Sequence, residues 1–376
     1  KRMTKNIVSS DSEELILRWF IPLKDAISVE LKYLHTEIKQ TEDLEEKERM
    51  KELSDGLRII SKDKLALLCI YETLSHLISS PSGAKFTQIV LSVGSAIQSH
   101  NNIQKIYSII KDIPHNELQN HPKYIKARKE ISDSKIWTSS FTAKLGGWIV
   151  NLLINSTAIR NGRTRAFKHS YISENGKRFG IIVAHPEVIS SFKPNDILMD
   201  NITSKYQPMV VPPLPWRGIR DGAFYLSSPS FVRSPTQSQE LRMNNNNLSP
   251  MYNLVNILSS VPWRINPIMY KTIAEAYNSN NQYNLPDIPM KDCQNDTSKS
   301  HQTSRYQFQR IFQTLERFHQ EPKIYFPHNI DFRGRCYPVP SYLNHMGSDL
   351  CRGVLQFAEG KPLGERGLSW MKIHLA

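Results

Sequence analysis

The chain has 376 residues, 39% of them apolar and 22% charged, with 6 Trp, 15 Tyr and 14 Phe; that is more than one hydrophobic core usually serves and too much apolar content for a disordered chain. Its formal charge of +13 favours polyanionic partners over neutral or acidic ones. The most apolar stretch, Leu145 to Ile159, is broken by Gly146, Gly147, Asn151 and Asn155 and falls short of the ~20 residues a bilayer needs, so no membrane partner is expected.

Ser10 and Glu13 stand in capping-box relation ahead of Leu15, Ile16, Trp19 and Phe20, which predicts a helix starting near Asp11, with Pro22 bending or ending its first section. Asp43 to Leu53 is densely charged and reads as a solvated helix. From Lys62 to Ile110 apolar residues recur at helical spacing, and Ser80-Pro81-Ser82-Gly83 marks a turn between two helices. Leu145, Trp148, Ile149 and Leu152 fall at i, i+3, i+4 and i+7, the stripe of a core helix. Two basic clusters also lie in this part: Lys123, Lys126, Arg128 and Lys129, then Arg160, Arg163, Arg165 and Lys168, most of them readable as solvated faces and turns.

Tyr171-Ile172-Ser173 and Lys177 to Val183 flank Asn175-Gly176, a dipeptide that tolerates the positive φ angles of a tight turn, so a β-ribbon is expected there. The prolines of Val210 to Trp216 exclude a helix or a central strand and predict a segment that crosses a surface or lines a groove. Asn244 to Asn247 reads as a polar linker. Ser249-Pro250 then supplies an N-cap and a first-turn proline for a helix with Met251, Leu254, Val255 and Leu258 on one face, ended by Pro262-Trp263. Asp292 to Ser304 reads as an exposed loop. Phe308, Ile311, Phe312 and Leu315 define one face of a further amphipathic helix, with Arg310 and Arg317 on the other. The expected class is mainly α with short β-ribbons (α+β).

Cys69, Cys293, Cys336 and Cys351 form no Cys-x-x-Cys pair, which argues against a zinc site or a disulfide framework and for a reducing compartment. The chain opens on Lys1 without a signal segment or presequence, so targeting information is expected to be absent or already removed, and the chain reads as a fragment.

The chemistry concentrates in Tyr325 to Pro338, where Arg333 and Arg335 bracket Gly334 between aromatic residues. A glycine lets the backbone come close to another chain, each guanidinium fork can grip a phosphate, and Tyr337 offers a flat ring to a base or sugar. The same residues equally suit a turn held by an ion pair from Asp331 to Arg333 or Arg335.

Asp331-Phe332-Arg333-Gly334-Arg335 with Tyr337, then Gly347-Ser348-Asp349, Phe357 to Gly364 and Gly367 to His374, closely resembles the start of the palm in single-subunit, phage-type RNA polymerases. Tyr206 to Trp216 resembles the family's proline-rich stretch, and Pro262-Trp263-Arg264-Ile265-Asn266 its Trp-basic-Ile-Asn motif. Phe332 and the Leu343 to Asp349 wording look more like mitochondrial members than phage ones, with plastid and viral origins as alternatives.

The resemblance implies a helical amino-terminal, promoter-side domain over 1–280, a shortened thumb-like segment over 281–323 and a truncated palm over 324–376. It implies templated RNA synthesis from nucleoside triphosphates, with two magnesium ions held by aspartates beyond Ala376, so that this chain holds no catalytic or metal residue and makes no RNA by itself. Metal roles for Asp331 and Asp349 are not expected. Implied partners are the DNA template and promoter, the RNA–DNA hybrid and mitochondrial transcription initiation factors. Arg335, with Arg333 and Tyr337, is expected against the hybrid backbone, and Arg352, Lys361 and Lys372 could extend that phosphate track or be solvated surface charge. A non-enzymatic nucleic-acid-binding or transcription-accessory protein on the same scaffold is the alternative.

Overall fold

The computed structural model describes residues 11–80, 82–114, 117–133, 137–160, 162–174, 176–192, 206–233, 247–281, 285, 287–289 and 299–375. Ser10 of the expected capping box, Asn175 of the ribbon turn, Asn244 to Asn246 of the linker and residues 292–298 of the expected loop lie outside them. The fold is α+β, mainly helical with small sheets. The chain divides into two compact units, Lys1–Lys205 and Tyr206–Ala376.

In the first unit, α1 (Asp11–Gln40) runs through Pro22 without ending. An interior proline costs roughly 3 kcal/mol. The helix meanwhile buries Leu15, Trp19, Leu23, Ile27 and Leu34, each stabilising by about 1.5–3 kcal/mol, so packing outweighs the defect. The Trp19 indole also donates to the Ala158 carbonyl at 2.8 Å. In α2 (Leu44–Arg58) Asp43 is the N-cap, its carboxylate accepting from the Glu45 and Glu46 amides; the first turns are solvated and Leu53 and Leu57 anchor the end.

As expected, α3 (Lys62–Ser79) breaks near Ser80 to Gly83 and is followed by β1 (Ala84–Lys85) and α4 (Phe86–Ile110). After α5 (Pro122–Asp133) comes α6 (Ser139–Ser156). Its buried face is centred on Leu145, Ile149 and Leu153, one position round from the expected stripe. Trp148 is instead 37% exposed and donates to Glu30 at 3.1 Å, since an indole N–H favours a place at the rim. Gly94 and Gly146 let α4 and α6 meet backbone to backbone: a Cβ on Gly146 would sit 1.9 Å from the Val90 carbonyl oxygen. The ribbon follows, β2 (Phe167–Glu174) against β3 (Lys177–Ala184), antiparallel from Phe167↔Ala184 to Glu174↔Lys177, with β1 on the far side of β3. A short α7 (Pro186–Ser191) closes the described part of this unit.

In the second unit the proline-rich segment leads into β4 (Leu214–Gly218), paired irregularly with β5 (Asp221–Ala223) in a two-stranded ribbon, a setting that tolerates Pro215. Next come β6 (Val232–Arg233) and α8 (Ser249–Ser259). Leu248, not Ser249, occupies the cap position, and Pro250 sits in the first turn. Of the expected apolar face only Val255 is buried, whereas Met251, Leu254 and Leu258 are 37–47% exposed. The helix is turned so that Tyr252 and Val255 meet Trp216, Phe231 and Ile330 in a small core.

A larger core collects Ile265 of β7 (Trp263–Ile265), Ile273 and Ala276 of α9 (Pro267–Asn278), and Phe308, Phe312 and Leu315 of α10 (Lys299–Phe318). Helix α10 therefore begins within the expected exposed loop, its polar first turns propagating outward from a packed stripe. Arg310 is only 2% exposed and so is not on a solvent face, while Arg317 is exposed and donates to Gln207 at 2.6 Å. The same core takes in Ile324, Phe326, Leu343, Val354 and Leu355, so it draws on residues from both sides of position 324. The remaining elements are β8 (His328–Asp331), β9 (Cys336–Pro338), α11 (Asp349–Val354), β10 (Leu355–Phe357), which pairs with β7, and α12 (Gly367–Leu375), which has no buried residue.

Candidate nucleic-acid interface

Strands β8 and β9 form a hairpin in the register His328↔Pro338, Asn329↔Tyr337, Ile330↔Cys336. Its turn is closed by backbone bonds between Asp331 and Arg335 and between Gly334 and Asp331. Gly334 has φ +81°, a conformation costly for other residues, while a Cβ there would meet only Met251 Cε at 3.9 Å; backbone conformation, not crowding, is what selects glycine. The Asp331 carboxylate accepts from the Arg335 amide at 2.9 Å and the Arg333 amide at 2.8 Å. Those bonds, the Arg335 amide foremost, hold its pKa below the usual carboxylate range, with the two guanidinium charges helping. Asp331 thus braces the turn through backbone amides. Phe332, Arg333 and Arg335 are exposed at the tip, the Arg333 guanidinium 5.1 Å from the Phe332 ring centre.

A residue that sequence reasoning missed supports this tip. Arg233, on β6, lies in a strand parallel to β8. Its Nε donates to Asn329 Oδ1 at 2.7 Å, a terminal nitrogen donates to the Pro338 carbonyl at 2.8 Å, and the guanidinium lies 5.0 Å from the Tyr337 ring centre. One face of Tyr337 is therefore taken by Arg233. The only sequence signal is an arginine closing the short apolar run Phe231-Val232, which says nothing about partners some hundred residues away.

At the base of the hairpin His328 is 2% exposed. Its amide donates to Ser259 Oγ at 3.0 Å, its carbonyl accepts the Trp216 indole at 2.9 Å, and its Nε2 faces His345 Nε2 at 3.3 Å, so one proton serves both rings. The His345 ring stacks on Trp263, nearly parallel at 5.1 Å. Burial, then the neighbouring His345, pushes His328 down to about 4, and burial also lowers His345.

Arg333, Arg335 and Tyr337 thus share one hairpin, while the other three expected residues lie on separate elements. Arg352 on α11 pairs with Asp349 one turn away, and Lys361 and Lys372 are exposed, Lys372 on α12. In the first unit, Lys123, Lys126 and Lys129 are exposed on α5, but Arg128 is 7% exposed and packs over Tyr124. Arg165 bonds Asn155, and with Lys168 it lines a cavity of about 780 Å³ that His169 and His185 also border. Asp331 is engaged by backbone amides and Asp349 by Arg352, and no group of three or more metal-binding side chains occurs among the described residues.

A family model described as DNA-directed RNA polymerase N-terminal matches residues 1–260. The chain is 27% identical to the mitochondrial DNA-directed RNA polymerase of Schizosaccharomyces pombe, over 98% of this chain and 37% of that protein. It is 26% identical to the chloroplastic/mitochondrial DNA-directed RNA polymerase 2 of Arabidopsis thaliana, over 97% of this chain and 42% of that protein. The chain therefore spans under half the length of these curated relatives. The Schizosaccharomyces pombe alignment runs over 433 residues, more than the chain's 376, so the relative carries segments this chain lacks. With more than half of its length matched by that model, the chain belongs to the DNA-directed RNA polymerase N-terminal family.

Proposed function

We propose that this chain is the amino-terminal and early-palm portion of a DNA-directed RNA polymerase that transcribes mitochondrial DNA, with the β8–β9 tip lying against the RNA–DNA hybrid. The names of its relatives support the activity and the compartment. One observation carries the placement of the tip: two guanidinium groups are exposed on a rigid turn whose own carboxylate is bound by backbone amides. Such groups grip phosphates and hold register without reading bases. In this reading the template, the promoter, nucleoside triphosphates and mitochondrial initiation factors are partners of the whole polymerase. In the same reading the aspartates that hold magnesium for nucleotidyl transfer lie outside this chain, which spans 37% and 42% of two relatives, and the chain by itself binds nucleic acid and makes no RNA.

The test is Arg335→Ala, with affinity for a short RNA–DNA hybrid measured by fluorescence anisotropy across a salt series. Binding should weaken roughly five- to tenfold at low salt, and the salt slope should become shallower by a little under one phosphate contact. The melting temperature should hold. A lowered melting temperature with unchanged hybrid affinity would make Arg335 a structural residue and remove the tip from the interface.

A further inference from the structure

Arg233 closes a strand of only two residues, yet it touches every strand of the sheet beneath the tip. Its backbone pairs β6 with β8, opposite Asp331. Its side chain then crosses β8, bonding Asn329 Oδ1 at 2.7 Å, and reaches the edge strand β9 at the Pro338 carbonyl, 2.8 Å away, with Tyr337 under the guanidinium plane. Asn329 is in turn tied to the Ser230 carbonyl at 3.2 Å, so the acceptor itself is held in place. Strand β9 needs such support, because it is an edge strand with three register pairs, and it carries Arg335 at its root. An arginine that meets phosphate from a wandering edge strand must give up that freedom on binding, which costs affinity; one held beforehand does not.

We infer that Arg233 is a positioning residue for the tip: it clamps β9 to β8 so that Arg333 and Arg335 meet the nucleic-acid backbone in a fixed geometry. This rests on the hybrid-facing reading of the hairpin and adds a division of labour, in which two exposed cations make contact and a third, engaged with protein groups, sets where they stand. Lysine cannot take this place. It keeps the charge but is a point donor without a planar fork, so it cannot bond Asn329 and Pro338 together while lying flat on Tyr337.

The experiment is a double-mutant cycle on the 376-residue chain, read as affinity for a short RNA–DNA hybrid at low salt. Arg233→Lys is made in the natural sequence and in a background where Arg333→Ala and Arg335→Ala remove the tip cations. Acting through the tip, Arg233→Lys weakens binding roughly three- to tenfold in the first background and has no effect in the second. Hydrogen exchange at the Tyr337 and Val339 amides, which face β8, should quicken in both. An equal fold-change in the two backgrounds would mean that Arg233 contacts nucleic acid itself, and no change in the first would mean that the clamp is irrelevant to binding; either overturns the inference alone. If removing the tip cations costs no affinity, the hybrid-facing reading fails and takes this inference with it. Should Arg233→Lys fail to fold, Asn329→Leu, which removes one acceptor and leaves the charge of Arg233, must give the same pattern.

Discussion

Two hairpins of this molecule, β2–β3 and β8–β9, are held in opposite ways. The β2–β3 ribbon pairs eight residues on each side in unbroken register and turns at Gly176, φ +73°, so its backbone ladder specifies it. The β8–β9 hairpin has three pairs and depends on side chains: Asp331 within the turn, Arg233 across the sheet and His328 at the base. A ladder is a local property. A brace is a property of residues that meet only once the unit has folded, and it can be removed without touching the hairpin itself.

The largest expected effect tests the backbone-held region. Gly146→Val drives a branched side chain into the Val90 carbonyl at the α4–α6 crossing and should destabilise the first unit by upward of about 3 kcal/mol, seen as a fall in its melting temperature, while hydrogen exchange in β8 stays unchanged. The next effect belongs to the braced region and is set by pH. His328 is held near 4 in the folded chain against about 6.5 in an unfolded one, so between those values the unfolded chain binds the extra proton. Stability of the second unit should be full above about pH 6.5 and fall by on the order of 2–3 kcal/mol as pH drops toward 4; His328→Asn should flatten that slope in thermal melts. Asp331 adds a loss at lower pH: its depressed value contributes stability above the unfolded carboxylate range that disappears as the folded group protonates.

Smaller still is the cost of Arg335→Ala, which should appear in hybrid affinity and not in melting. The smallest effect sharpens the comparison from the other side. Gly176→Ala places a Cβ in open space at a positive φ, costing about 1 kcal/mol, and the long ladder should absorb it with no change in exchange beyond the turn. Equal loosening of both hairpins by single turn substitutions would end the distinction between ladder and brace.

Those features that follow from local rules were legible in the sequence. The break near Ser80 to Gly83, the Asn175-Gly176 ribbon and the Phe308 to Leu315 stripe each follow from spacing or turn chemistry within a few residues. Errors arose where a neighbour from far along the chain decides. Periodicity showed that α6 and α8 bury a face but missed the face by one position, because the centre is set by what packs there: the α4 backbone at Gly146, and Phe231 and Trp216 beside Tyr252 and Val255. Arg310 looked like a surface residue from its charge and is buried. At the candidate site the order of Asp331 to Tyr337 was enough to mark a turn at Gly334, since that turn is local. Arg233 and the His328–His345 pair were invisible, because neither lies near its partners in sequence.

The parallel pairing of Val232 with Ile330 also bears on how the chain is made. Ribosomes add about 5–20 residues per second, so β6 must wait several seconds or more before β8 is synthesised. Throughout that interval a strand edge destined for the interior has no mate, and closing so long a loop is intrinsically slow. The β8–β9 tip therefore becomes native well after its β6 neighbour is made, and the nascent chain is most open to mispairing at β6 just before β8 emerges.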